Sequence, residues 1–213
     1  ALAVQNILSK GVSRWRIFVV SGFGLLHGLG FASVLAEFGL PLEFPESVLA
    51  AAATIPDGCT PEEIARRRDI RSIPTLTIDP EDAKDLDDAL SVRRLDNGHW
   101  EVGVHIADVS HYVHPGSVVD MEGATRATSV YLVDRVVPML PERLSNDLCS
   151  LNPHTDKLSF SAIFELDDRA RVKAEWFGRT VMRSQRRFAY AEAQAIIDGA
   201  EGEFGPAVLT LHR

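Results

Sequence analysis

The chain has 213 residues, 46% of them hydrophobic and 24% charged, and a formal net charge of −8. That is enough apolar material for one good-sized domain, or a small domain with an appendage, and the acid excess argues against a binder that holds nucleic acid by charge alone. Cys59 and Cys149 are too far apart for a C-x-x-C pair, which argues against a disulfide framework or a zinc ribbon and for a reducing compartment.

Along the chain, residues 17–36 form the first distinct segment: twenty residues without a formal charge, bordered by Arg14, Trp15 and Arg16. This length just spans a bilayer, and the border is positive and aromatic. Gly24-Leu25-Leu26-His27-Gly28 is a G-x-x-x-G helix-packing pattern. A secretory signal is disfavoured by the lack of a clear cleavage site. A dinucleotide loop is disfavoured because His27 stands where the last glycine belongs. From Leu42 the composition is that of a water-exposed fold. Residues 45–53 read as a short helix with proline in its first turn. Thr60-Pro61-Glu62-Glu63 is a capping box that opens a helix towards Arg66-Arg67-Arg68. Leu76-Thr77-Ile78 reads as a strand. Residues 89–92 and 100–106 alternate as strands around Asp96-Asn97-Gly98, a hairpin signal. A helix is expected over residues 118–130. Strands are expected over 160–166 and 172–177, turning at Asp167-Asp168, followed by a helix over 190–198 and a helical pattern from Val208.

Residues 77–90 carry the chemistry. Asp79, Asp85, Asp87 and Asp88 sit among apolar and small residues in a D-x₅-D-x-D-D spacing. No single helix face presents that spacing, but an irregular loop after a strand can turn all four carboxylates towards one point. Clustered carboxylates do not all stay ionised without a cation. Hard oxygen donors suit Mg²⁺ or Mn²⁺, the usual apparatus for phosphodiester hydrolysis. A solvated acidic turn is the plainer alternative. An EF-hand is disfavoured, since the loop lacks the glycine at its sixth position and the glutamate at its twelfth. His105, His111 and His114 invite a zinc reading, but His105 among apolar strand residues reads as a buried, hydrogen-bonded histidine. Arg66, Arg67, Arg68 and Arg71, with Arg183, Arg186 and Arg187, either line an RNA path or form solvated faces. Ser145 and Ser150 have no His/Asp partner in the pattern, which argues against a serine hydrolase.

Asp79-Pro80, Asp82-Ala83-Lys84-Asp85-Leu86-Asp87-Asp88-Ala89, then Val104-His105-Ile106-Ala107-Asp108-Val109-Ser110, follow one another in order. They are succeeded by Thr128-Ser129-Val130-Tyr131-Leu132, by residues 137–146, and by Leu148-Cys149-Ser150-Leu151-Asn152-Pro153. These five blocks resemble the catalytic RNB domain of the RNase II/RNase R exoribonuclease family, and most closely its RNase R branch. The resemblance implies an α+β fold: an incomplete RNB domain with a mixed or antiparallel sheet and flanking helices. It implies a 3′→5′ exoribonuclease that uses Mg²⁺ (or Mn²⁺) to release nucleoside 5′-monophosphates. It makes Asp79, Asp85, Asp87 and Asp88 catalytic and gives Asp79, Asp85 and Asp88 to the metal. It places Asp87 nearest the chemistry at the RNA 3′ end and Tyr131 against the 3′-terminal nucleotides. Without the resemblance, Tyr131 reads as a core residue, and Asp108 is a candidate to support the acids. The implied partner is RNA with a single-stranded 3′ end, not DNA, and the implied state is a cytoplasmic monomer.

Phe23-Gly24-Leu25-Leu26-His27-Gly28-Leu29-Gly30-Phe31-Ala32 and residues 35–41 resemble one helix of the HupE/UreJ membrane accessory proteins. The expected organisation is therefore an apolar segment at 1–41 that reads as transmembrane, a helical linker at 42–70 and the RNB domain at 71–213. The family's cold-shock and S1 barrels, and the later part of the RNB domain, are not in this sequence. The expected account is a fragmentary or recombined gene. Two alternatives follow: an RNB module that binds RNA without cutting it, and a membrane-associated accessory protein with a passenger RNB segment.

Overall fold

The computed structural model describes Gly39 and residues 41–132 and 135–212. The chain divides into two compact units. The larger comprises Pro45–Thr128 with Pro138–Arg213, and the smaller takes in Ser129–Val137. Residues 17–36 lie outside the described residues. Among the described residues, no helix is long and apolar enough to cross a membrane.

The larger unit opens with helix α1 (Glu46–Ala53) and the single turn α2 (Pro61–Ile64). Thr60 caps α2 by accepting the Glu63 N–H at 3.2 Å, and Pro61 occupies the first helical position, where its missing N–H costs nothing. The helix does not run on through the arginines, as the sequence pattern predicts. Arg68–Asp69 instead becomes strand β1, an edge of the main sheet.

That sheet has seven strands. After β1 come β2 (Thr75–Asp79), β3 (Asp88–Arg94), β4 (Trp100–Ala107), β7 (Asp156–Leu166), β8 (Val172–Arg183) and β9 (Arg186–Ala189), in spatial order β1-β8-β7-β4-β3-β2-β9. The five strands from β8 to β2 are antiparallel, and both edges, β1 on β8 and β9 on β2, are parallel. The sheet is thus mixed, as expected. The β3–β4 hairpin turns at Asn97-Gly98, where Leu95 N–H donates to His99 O at 2.8 Å and Gly98 takes φ +83°, a conformation glycine adopts without a Cβ penalty.

Alternation along the strands buries one sheet face, and much of that face is polar. Ser91, His105, Ser161, Thr180 and Ser159 form a hydrogen-bonded row across β3, β4, β7 and β8. His105 Nε2 meets Ser91 Oγ at 2.9 Å and its Nδ1 meets Ser161 Oγ at 2.7 Å; Ser161 Oγ lies 2.5 Å from Thr180 Oγ1, which lies 2.7 Å from Ser159 Oγ. Small side chains make room for the imidazole. A Cβ on Gly103 would stand 2.5 Å from Ser91 Oγ and 2.6 Å from His105 Cε1.

Between β4 and β7 lie the short helix α3 (Val109–Tyr112) and α4 (Val118–Arg126). The sequence pattern carries α4 to residue 130, but Ala127 turns to φ +65° and ends it. Val130–Tyr131 is instead strand β5, paired with β6 (Val136–Val137) as a two-stranded ribbon in the smaller unit. A π-helix follows at Arg143–Leu148, marked by the Cys149 N–H bond to Leu144 O at 2.8 Å. Helices α5 (Tyr190–Ile197) and α6 (Gly205–His212) close the chain. They pack Ala193, Ile196 and Val208 onto Leu76 and Phe188 of β2 and β9, which secures the end of the sheet that bears Asp79.

Burial holds the His105 imidazole neutral and pushes its pKa down to about 4, with the Arg68 charge adding to the effect. The unfolded chain therefore binds one more proton between that value and about pH 6.5. The contribution is complete above pH 6.5, declines as pH falls towards 4 and is flat below. Urea titrations of the wild type should lose about 3 kcal/mol through this group over that window. A His105→Gln variant should lack this part of the slope; equal slopes would refute the assignment.

Candidate active site

The β2–β3 ladder pairs Thr75 with Ser91 and Leu76 with Leu90, and then stops. The last residues of β2 turn to β9, with Asp79 opposite Ala189, while Asp88 pairs with Ile106 of β4. The two strands have parted where the acids stand. Asp79, in step with Thr75 and Thr77, comes from the buried face and is only 8% exposed. Asp88 stands on the opposite face, in one cross-strand row with exposed Ile106 and Phe160. Residues 80–87 bridge the gap and carry Asp85 and Asp87 on either side of the buried Leu86.

Three sets of hydrogen bonds fasten this loop. Arg187 of β9 donates to the carbonyls of Pro80 at 3.0 Å and Glu81 at 2.7 Å. Ser150 accepts the Leu86 N–H at 3.1 Å and donates to Lys84 O at 2.8 Å, while Leu151 N–H donates to Leu86 O at 2.8 Å. Ala107 N–H donates to Asp87 O at 2.9 Å. The loop is irregular, yet its backbone is held at its beginning, middle and end.

The electrostatics are those of crowded like charges. Burial, and then the charges of Asp88 and Asp85, raise the Asp79 pKa against the pull of Thr77 and Arg187. Asp79 Oδ2 and Thr77 Oγ1 are both buried with no hydrogen-bond partner; Thr77 is near enough to favour the carboxylate but lies outside bonding geometry. Asp87 keeps solvent contact, but partial desolvation followed by the charges of Asp85, Asp88 and Asp79 raises its pKa as well. Among the described residues, no three His, Cys, Asp or Glu side chains already converge as a metal cage. The donor chemistry nevertheless fits a hard cation. All four groups are carboxylates, and one of their oxygens is a buried acceptor left unsatisfied, which folded proteins rarely tolerate.

The other sequence candidates are sorted differently. Tyr131 is 61% exposed on β5 of the smaller unit, so it is not the core tyrosine its spacing suggests when read alone. Asp108 does not join the acids. Arg67 lies 2.8 Å from its Oδ2, Ser110 Oγ donates to Oδ1 at 2.7 Å, and Arg179 is 3.6 Å away. Arg67, fully buried, also meets Glu63 at 2.8 Å. Most arginines of the two clusters meet acidic neighbours, while Arg66 stays largely exposed with Glu63 3.9 Å away. Arg71 and Arg183 share Asp156, Arg68 reaches Glu101, and Arg186 reaches Glu192. Arg187 serves the acid loop. Sequence spacing did not single out Ala107 or Leu151, which act through their main chains, and it gave Ser150 no role.

Residues 67–207 match the family model described as the RNB domain. The chain belongs to the RNB-domain family. Residues 1–51 match a second model, HupE / UreJ protein. The chain is 55% identical over 206 residues to DIS3-like exonuclease 2 of Schizosaccharomyces pombe, an alignment covering 92% of this chain and 22% of that protein. It is 46% identical over 175 residues to ribonuclease R 1 of Lactococcus lactis, covering 82% of this chain and 21% of that one. Mycoplasma genitalium RNase R, solved in complex with ribose methylated single-stranded RNA, matches with a TM-score of 0.76 at 31% identity over 85% of this chain and 28% of its own. The chain spans about a fifth of the length of these curated relatives. Within the RNB match lie all four aspartates, the Ser150 segment and Arg187.

A buried, partnerless carboxylate should weaken the metal-free fold. The raised Asp79 pKa means that stability is lost as pH rises from the unfolded value through the folded one, so the penalty is present at pH 7. Asp79→Asn should therefore melt higher than wild type in EDTA. Any stabilisation of the wild type by Mg²⁺, about 2.7 kcal/mol at a concentration 100 times the dissociation constant, should be lost in this variant. A variant that melts lower in EDTA and still responds to Mg²⁺ would contradict this reading.

Proposed function

We propose that the larger unit carries the acid centre of a 3′→5′ exoribonuclease, which hydrolyses RNA phosphodiesters and releases nucleoside 5′-monophosphates. The observation that carries this reading is the pinned loop of Asp79, Asp85, Asp87 and Asp88, with its unsatisfied buried oxygen, inside the RNB match. RNA is the substrate in this reading. The complex of M. genitalium RNase R with single-stranded RNA supports that choice.

Asp79, Asp85 and Asp88 would hold Mg²⁺ or Mn²⁺. When bound, such a cation polarises the phosphate, lowers the pKa of a water and neutralises charge on the leaving 3′ oxygen. The protein's own part is to keep carboxylates facing the reacting phosphate despite their mutual repulsion. Asp87, with its raised pKa and solvent contact, would act nearest the chemistry at the RNA 3′ end, taking a proton from the attacking water. Tyr131, exposed on its ribbon, would stack on terminal bases, a contact that tolerates any sequence.

Asp87→Asn should lower the single-turnover rate on a 3′-labelled RNA by about 10²–10⁴-fold while leaving RNA affinity within a few-fold of wild type. EDTA should abolish hydrolysis by the wild type. Tyr131→Ala should change the length of the final product. Undiminished turnover by Asp87→Asn would remove that residue from the chemistry, and an unchanged end product would remove Tyr131 from the RNA contact.

A second reading has its own support. The match of residues 1–51 to the HupE / UreJ model, with the uncharged stretch at 17–36, favours membrane association through the N-terminal segment over a purely cytoplasmic location. Expressed in cells, the full chain should then sediment with membranes and resist carbonate extraction. Quantitative recovery in the soluble fraction would favour the cytoplasmic location.

A further inference from the structure

Ser150 has no catalytic partner in the sequence pattern, yet it is wholly buried and both functions of its hydroxyl are used. The oxygen accepts the Leu86 N–H at 3.1 Å and donates its proton to Lys84 O at 2.8 Å. These two backbone groups flank Asp85, and Leu86 immediately precedes Asp87. One hydroxyl thus closes the main chain around one acid and sets the exit direction towards the next. Ser150 is itself fixed from behind. It follows the π-helix Arg143–Leu148, its own N–H donates to Asp147 O at 3.0 Å, and its carbonyl accepts the Asn152 N–H at 2.8 Å. A wide π turn is uncommon and recurs at functional sites.

We infer that Ser150 is a positioning residue of the acid centre: its hydroxyl dictates where the carboxylates of Asp85 and Asp87 point. The inference rests on the proposed function for its consequence, but its structural content stands apart. Among the described residues no three carboxylates already converge, so the direction from which each one starts is set by the backbone that carries it. Leu86 fills the core beneath the loop, and Arg187 holds only its beginning. Without the hydroxyl, the Leu86 N–H and Lys84 carbonyl lose their shared partner, and the segment after the π-helix keeps its hold on the loop through Leu151 N–H on Leu86 O. Groups that orient metal ligands typically govern affinity by 10–100-fold.

The test uses the full chain. Ser150→Ala and Ser150→Cys are compared with Leu144→Ala, which removes a buried side chain of the π-helix behind Ser150 but neither hydrogen bond of the clamp. Hydrogen exchange in EDTA should quicken about tenfold across residues 81–88 in both Ser150 variants, and the Mn²⁺ dissociation constant read by electron paramagnetic resonance should rise about tenfold. Leu144→Ala should lower the melting temperature but leave loop exchange and Mn²⁺ affinity at wild-type values. The inference is overturned if loop exchange in the Ser150 variants matches wild type, or if Leu144→Ala reproduces their behaviour. A wild-type chain that binds no Mn²⁺ would instead sink the proposed metal chemistry, and the exchange comparison would still judge the clamp.

Discussion

Four carboxylates on a ten-residue stretch repel one another, and the structure depends on what holds them together. The restraint is main-chain hydrogen bonding to an otherwise irregular loop. Arg187 grips Pro80 and Glu81, Ser150 and Leu151 grip Lys84 and Leu86, and Ala107 grips Asp87. Each fastening comes from a different part of the fold: β9, the segment after the π-helix, and the end of β4. Burial and like-charge crowding then raise the pKa values of Asp79 and Asp87.

The rest of the larger unit supplies that loop with anchors. β2 must leave β3 after Leu76 so that the acids can stand in the gap. α5 and α6 press onto Leu76 and Phe188 and so secure β2 against β9, which in turn brings Arg187 to the loop. The polar row through His105 stiffens the strands beside Asp88. Arg67 and Asp108, buried together, tie α2 to the segment that follows β4. Removing either partner of such a pair leaves a buried charge uncompensated. These features are remote from the reaction, but they determine whether the loop starts from one arrangement or many.

Much of this was legible in the residues. Alternation and turn chemistry located β2, β3, β4 and β7 within a few positions and the first half of β8, because side-chain period and the Asn97-Gly98 turn are local properties. The same local signals failed where the chain's partner was distant. Arg68–Asp69 left its helical pattern to pair with β8, and Val130–Tyr131 left its own to pair with Val136–Val137. The π-helix has no distinctive period, and nothing in its composition announced it. The arginine clusters left an RNA path and a solvated face both open, because sequence shows a charge but not its partner.

By itself the sequence determined the chemistry on offer: four hard-oxygen donors after a strand, flanked by blocks in RNB order. Residue identity and spacing suffice for that, since a carboxylate remains a carboxylate in any fold. Only the tertiary structure decided which groups serve the site. Asp108 went to Arg67, Arg187 turned from a surface charge into a loop anchor, and Ser150 became a clamp. Those assignments join residues 41 to 107 positions apart in the chain. Hydrogen-bond partnership at such separation follows from how strands cross and part, which no local pattern encodes.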